Sequence, residues 1–326
     1  MKVFTSHWTA LEYWRIHFPL DSELGRTVNA SLAEECTACK IDVLDSVHET
    51  YRIPGKPVDV LVFDGKERRL SELVACHTWS TNIPEGAFYR HGSMHVSSPE
   101  FVFLQMASEL PLVQLIALGY ELCGTYVLLP AKVHHPSALE DYPRRIAPLT
   151  TTSKLASFIA HAQNARGIAK ARRALKYVVD CSRSPMETMT SLLLSLPPAL
   201  GGYGLPQPVL NDYIELDESA QIIAQASHAE GDLCWRDCTL DIEYNGDVHA
   251  DPARMKRDAG RRAGIEHMGW RVITITGPQV FNIEAFEVIA RDVARHMHRR
   301  LRSKTLGMTS ARCELHRLLE AWMFTD

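Results

Sequence analysis

No run of apolar residues in this 326-residue chain is long and unbroken enough to suggest a membrane span. The most apolar stretch, Pro111 to Pro130, is interrupted by Gln114 and Glu121 and loosened by Gly119, Gly124 and Thr125. A membrane helix needs about 20 largely uninterrupted apolar residues, so a buried helix running into a strand is expected there. Met1 to Trp8 lacks the apolar core and small-residue cleavage site of a secretory signal, which points to a cytoplasmic protein with no membrane partner. The eight cysteines are scattered, and without an export signal they read as reduced thiols and not as a disulfide framework. Cys36-Thr37-Ala38-Cys39 has no second CxxC or HxxxH to complete a tetrahedral zinc site, so two ordinary thiols are expected. No repeat recurs at a fixed period. Gly201-Gly202-Tyr203-Gly204 precedes Leu205-Pro206 and not a helix, which excludes a phosphate-binding loop.

With 46% hydrophobic and 23% charged residues, the composition is that of a globular protein, and the length suits two domains of roughly 100–200 residues. Residues 1–132 read as an N-terminal α+β domain. A strand at Val58 to Phe63 ends at Asp64-Gly65, and Ser98-Pro99-Glu100 starts a helix. Residues 133–183 read as a linker followed by an Ala-rich, basic helical segment. Residues 184–304 form the second domain and 305–326 a C-terminal extension.

The net charge of −4 argues against nucleic acid as a ligand of the whole chain, but the charge is uneven. From Pro252 to Lys304 twelve Lys or Arg stand against five acids, leaving about +7. Such a segment offers phosphates a local basic surface; it also fits a pair of solvated helix faces. Arg254, Arg257 and Arg261 recur at spacings of three and four and share one face of a helix that begins at Asp251-Pro252 and stops at Gly269.

Ser184-Pro185-Met186-Glu187 is a capping box, in which Ser184 takes the Glu187 amide proton and Glu187 reaches back to the Ser184 amide. The segment Gly231 to Gly246 then alternates apolar residues about a turn at Asp237-Cys238. With a two-residue loop, Asp232 falls opposite Glu243 and Cys234 opposite Asp241, with Cβ atoms about 4.5–5.5 Å apart. Leu233, Trp235, Leu240, Ile242 and Tyr244 take the other face and supply the core. Three acids on one face repel unless a cation lies between them, and their oxygens suit Mg²⁺. A hairpin with one wet, acidic face is the alternative.

Taken in order, Ser184-Pro185-Met186-Glu187, Gly204-Leu205-Pro206-Gln207-Pro208, Asp232-Leu233-Cys234-Trp235, Ile242-Glu243-Tyr244-Asn245-Gly246 with His249, Arg257-Asp258 with Arg261, and Gly269-Trp270-Arg271-Val272 resemble a known module. It is the bacterial endonuclease domain related to very-short-patch mismatch repair nucleases, within the PD-(D/E)XK restriction-endonuclease-like superfamily. Val96-Ser97-Ser98-Pro99-Glu100 more loosely resembles the antitoxin-like domain fused to such modules. The resemblance implies an α/β restriction-endonuclease-like core, a mixed sheet flanked by helices, that hydrolyses DNA in a defence or mobile-element setting. It implies Mg²⁺ or Mn²⁺ held by Asp232 and Glu243, with the Tyr244 carbonyl as a third ligand. Glu187 is then either an accessory acid or only the helix cap. His249 and Arg261 would activate water and stabilise the phosphorane, or play structural polar roles. Arg254, Arg257 and Arg261 would contact DNA. A second copy of the chain and a protein bound by the N-terminal domain are the further candidate partners. Asn245 stands where the superfamily carries lysine, which keeps open a nuclease fold that binds nucleic acid without cutting it.

Overall fold

Runs of β-branched residues alternate with helix-capping signals along the chain, and in both halves these runs pair into sheets. The computed structural model describes residues 3–16, 25–27, 57–68, 72–91, 94–128, 143–246, 252–301 and 306–324. They divide into two units, each mixed α/β, with a mixed sheet flanked by helices. Cys36, Cys39 and His249 lie outside the described residues.

In the first unit, β1 (Val3–Thr5) pairs parallel with β6 (Met94–Ser97) and antiparallel with β3 (Val58–Val62). β3 continues parallel to β4 (Val74–Thr78), and β5 (Phe88–His91) joins β6 to β2 (Gly25–Thr27). The sheet order is β2-β5-β6-β1-β3-β4. All five β3 residues are buried, and Asp64 then caps a 3-10 turn, as the Asp64-Gly65 signal predicts. α1 (His7–Ile16) follows β1. Ser98 caps α2 (Pro99–Met106), its Oγ accepting from Phe101 N at 3.2 Å.

The apolar stretch at Pro111 forms α3 (Leu112–Cys123), buried along most of its length. The described residues after it make an isolated bridge from Tyr126 to Arg144 and not the expected strand. Glu121, which breaks the apolar run in the sequence, is fully buried. Its two oxygens accept from Arg15 Nε and a terminal Arg15 nitrogen, both at 2.8 Å, and Glu12 takes the other terminal nitrogen at 2.8 Å. A bidentate pair satisfies both desolvated charges at once.

α4 (Thr152–His161) and α5 (Ile168–Leu175) come from the segment that the sequence division set apart as a linker and basic helix. They pack on α2 and α3 in the first unit, because Leu155, Phe158, Ile159, Ala171 and Ala174 form an apolar stripe that needs cover.

The second unit starts with α6 (Pro185–Ser195), followed by β7 (Val209–Glu215) and α7 (Glu218–Ala224). β8 (His228–Trp235) and β9 (Leu240–Tyr244) form a hairpin, then α8 (Pro252–His267) crosses to β10 (Arg271–Ile275). β7, β8 and β9 are successively antiparallel, while β10 lies parallel to β9, giving the order β10-β9-β8-β7. A parallel neighbour requires a long crossover, which α8 supplies. α9 (Gly277–Phe281) and α10 (Ile283–His296) follow. The C-terminal extension becomes α11 (Leu306–Phe324), which buries Leu315, Leu319 and Met323 and packs on α6 and α10. Among the described residues no helix is long and apolar enough to cross a membrane.

Glu121→Ala leaves the buried Arg15 guanidinium without its bidentate partner, and breaking a buried pair in this way costs about 3–5 kcal/mol. Denaturant melts should show that loss, and a change below about 1 kcal/mol would contradict the role given to the pair.

A candidate acidic metal centre

The β8–β9 ladder pairs Leu233 with Ile242, Cys234 with Asp241 and Trp235 with Leu240. This is the register the sequence predicts, although the loop is longer. Arg236 to Thr239 lie outside the ladder, in a 3-10 turn closed by Thr239 at φ 46°. One residue added on each side of the turn leaves the pairing unchanged. Asp232 and Glu243 follow level in the same register, beyond the last ladder pair, and both are half-buried. Asp232 Oδ2 accepts from Tyr244 N at 2.9 Å, which ties the acid to the backbone of β9.

The face shared by Cys234 and Asp241 is not wet. Both residues are fully buried, and Cys234 belongs to the apolar cluster of Ile214, Leu216, Ala224, Ile265 and Val272 beneath α7 and α8. The solvated-hairpin alternative therefore fails at Asp241. Gly231 makes room for it. A Cβ there would strike Cys234 Sγ and lie 2.7 Å from Asp241 Oδ1. Residues 231 and 234 thus share a side, so the strand alternation is interrupted between them.

On β7, Asn211 lies level with Asp232 between the pairs Leu210–Leu233 and Asp212–Gly231. Its φ of 50° is left-handed, a region that asparagine tolerates better than most side chains. The Asn211 amide donates to Glu187 Oε2 at 2.6 Å and to the Cys181 carbonyl at 2.9 Å.

Glu187 caps the helix, and its carboxylate also lies within electrostatic reach of Asp232. Its N–H donates to Ser184 Oγ at 3.1 Å, capping α6. Its carboxylate accepts from Ser184 Oγ at 3.0 Å and from Arg183 N at 2.8 Å, one residue earlier than the capping box predicts. The same carboxylate is close enough to Asp232 to feel its charge. Burial and then the Asp232 charge push Glu187 up to about 7.

The other acids are displaced in the same direction. Burial and then Asp232 raise Glu243 to about 7, against the pull of Arg262. Burial, then Glu243 and Asp232, raise Asp241 to about 8. Burial raises Asp232 as well, opposed by the Tyr244 N–H and by Arg183 and Arg144. Asp241 Oδ2 is buried without a hydrogen-bond partner. Carboxylates held this far above their ordinary range lack positive charge, and an all-oxygen donor set suits Mg²⁺ or Mn²⁺. No three of these acids bring ligand atoms within 4.8 Å of one another. Asp232, Glu243 and the Tyr244 carbonyl are the oxygen donors that the resemblance assigns to such an ion.

The remaining predicted residues are dispersed. Arg257 and Arg261 are exposed on α8, with Arg261 3.9 Å from Asp258 and near enough to Glu230 to lower its pKa. Arg254 lies on α8, its side chain outside the described residues, and Asn245 is exposed at the end of β9. Much of the basic excess is spent locally, in pairs of Arg262 with Glu266, Arg271 and Arg295 with Asp292, and Arg291 with Glu287. A groove of about 470 Å³ between Cys238, Arg271, Asp292 and His296 lies at the hairpin turn, away from the acids.

Four neighbours of the centre escaped the sequence reading as site residues: Arg183, Asn211, Arg144 and Arg262. Arg183 forks onto Glu230 at 2.6 and 3.1 Å. Arg262 donates to Thr274 Oγ1 at 2.6 Å, and Thr274 pairs with Glu243 in the β9–β10 ladder. Only Arg183 had a signal, its place just before the Ser184 cap.

The chain is similar to two uncharacterised mycobacterial proteins. Both are from Mycobacterium tuberculosis, MT2308 of strain CDC 1551 / Oshkosh and Rv2248 of strain H37Rv. Each is 28% identical over 183 residues, 54% of this chain and 60% of the relative. The match therefore spans less than two thirds of those relatives. No family model and no solved structure matches the chain.

Acids with raised folded-state pKa values hold protons that the unfolded chain has released, so they make stability fall as pH rises. For Asp241, raised to about 8, the window runs from the ordinary carboxylate range up to that value. In chelator, Asp241→Asn should gain stability over the parent as pH rises from 5 to 8, by at most about 1.4 kcal/mol for each pH step of one, with the difference vanishing toward pH 4. A pH-independent difference between the two melting curves would contradict this.

Proposed function

We propose that the second unit is a metal-dependent nuclease module that hydrolyses DNA phosphodiester bonds. One observation carries the reading. Asp232 and Glu243, at the end of the β8–β9 hairpin, and Glu187 from α6 lie within electrostatic reach of one another in a poorly solvated cluster whose acids are all displaced toward the protonated form. The mixed four-stranded sheet flanked by helices agrees with the architecture that the resemblance implies.

Asp232 and Glu243 would hold Mg²⁺ or Mn²⁺, which when bound lowers the pKa of a water and offsets charge on the phosphate. The chain's own residues prepare that site. Tyr244 N–H orients Asp232, the Asn211 amide and Arg183 N–H orient Glu187, and Arg262 stands by Glu243. Arg257 and Arg261, exposed on α8, would contact backbone phosphates, which positions DNA without reading its sequence. Arg254 joins them by its helical spacing, and His249 would activate water on the strength of the resemblance alone. The first unit, with its looser antitoxin-like resemblance, would select the target or a partner protein.

Asn245 favours a second reading, a nuclease fold that binds nucleic acid without cutting it. It is exposed at the strand end, where the superfamily places the lysine. Its backbone N–H is committed to the Ile275 carbonyl at 2.8 Å.

Plasmid nicking in Mg²⁺ or Mn²⁺ separates the two. Asp232→Ala and Glu243→Ala should each reduce nicking on the order of a hundredfold or more, since several kcal/mol of charge stabilisation is lost. Retention of DNA without any metal-dependent nicking supports the second reading, and no binding at all defeats both. Arg257→Ala and Arg261→Ala should each lower the slope of log affinity against log salt by about 1.

A further inference from the structure

In the first unit, His7 opens α1, His77 lies on β4 and Glu109 follows α2. Among the described residues they are the one group of three His, Cys, Asp or Glu side chains whose ligand atoms all lie within 4.8 Å of one another. His7 Nε2 and His77 Nδ1 each stand 3.7 Å from the same atom, Glu109 Oε1. That is too long for a hydrogen bond. It is close to the roughly 3.4 Å that separates two ligands on a tetrahedral zinc with bonds of about 2.0–2.1 Å.

The second nitrogen of each ring is already engaged. His7 Nδ1 lies 3.0 Å from Ser6 Oγ, and His77 Nε2 lies 2.7 Å from Asp59 Oδ1. Each imidazole therefore presents its remaining nitrogen toward Glu109. Asp59 is itself fixed, its Oδ2 accepting from Thr9 N at 3.3 Å and its own N–H donating to Thr9 Oγ1 at 2.8 Å. A carboxylate behind the far nitrogen of a ligating histidine is the usual outer support of a metal site.

His7 also adopts φ 46°, a left-handed conformation of order 1–2 kcal/mol above the usual one, held by its N–H to Gln105 Oε1 at 3.1 Å. The two imidazoles are stacked, 3.7 Å between centroids, over a shared carboxylate that neither reaches by a hydrogen bond. Trp8 donates to Glu109, and Arg166 lies near it as the competing cation. Side-chain exposures of 34% at Glu109 and 24% at His77 let water complete the coordination.

We infer that His7, His77 and Glu109 form a zinc-class divalent metal site with water as the fourth ligand and Asp59 as a positioning residue. The site is independent of the acidic centre in the second unit.

The test uses the 326-residue chain carrying Cys36→Ser and Cys39→Ser, stripped with chelator. Zn²⁺ is titrated by calorimetry, and Co²⁺ by visible absorption as a report of tetrahedral geometry. With the acidic centre disabled by Asp232→Ala and Glu243→Ala, one equivalent should bind. On that background it should be lost in His77→Ala and Glu109→Ala and weakened about 10–100-fold in Asp59→Asn. Melting curves establish that each variant is folded, and Glu109→Gln, a near-isosteric change at a partly exposed side chain, serves if His77→Ala does not fold. A folded parent that takes up no zinc, or Glu109 variants that bind as the parent does, overturns the inference.

Discussion

Carboxylates that share a poorly solvated space cannot all stay ionised without a counter-charge, and that constraint governs the second unit. The hairpin register brings Asp241 and Glu243 close to Asp232, which the Tyr244 N–H holds, and Glu187 is added by the start of α6. Arg183, Arg144 and Arg262 offset part of the repulsion, yet Glu187, Asp241 and Glu243 remain displaced to about 7 or 8. Two local departures from regular strand geometry serve the same cluster. Gly231 lacks the Cβ that would collide with Asp241, and Asn211 turns left-handed and sends its amide to Glu187. Irregular backbone of this kind concentrates where a site needs it and is supported by packing elsewhere.

The first unit handles buried charge differently. Arg15 is matched by Glu121 and Glu12, so burial is compensated within the chain. The carboxylate of Glu109 instead faces two imidazoles, each aiming its unengaged nitrogen at one oxygen from beyond hydrogen-bond reach. The two candidate centres differ in donor chemistry as well. Carboxylate oxygens dominate the acidic cluster and favour a hard ion, whereas two imidazoles and one carboxylate favour a borderline one. Each would discriminate among ions by ligand type, not by charge.

The basic segment from Pro252 onward carries less free charge than its composition implies. Arg262, Arg271, Arg291 and Arg295 are held by acids of the same segment, which makes these contacts part of the unit's own surface. Exposed pairs of this kind contribute little to stability. They do lower the field that a phosphate would meet, so any phosphate contact in this region falls to a few side chains such as Arg257 and Arg261.

Alternation and capping made several elements legible in the sequence alone. The buried strand at Val58, the Ser98 and Ser184 caps, the helix from Pro252 and the pairing of Cys234 with Asp241 each depend on residues within a few positions of one another. A hairpin register is such a local property, so Cys234 could be placed opposite Asp241 before any fold was known. Burial of Asp241, the reach of Glu187 to that cluster, the docking of residues 152–175 on the first unit and the packing of α11 were decided by tertiary structure. The meeting of His7, His77 and Glu109 belongs with them. These depend on which surfaces cover which, and periodicity along the chain carries no record of that.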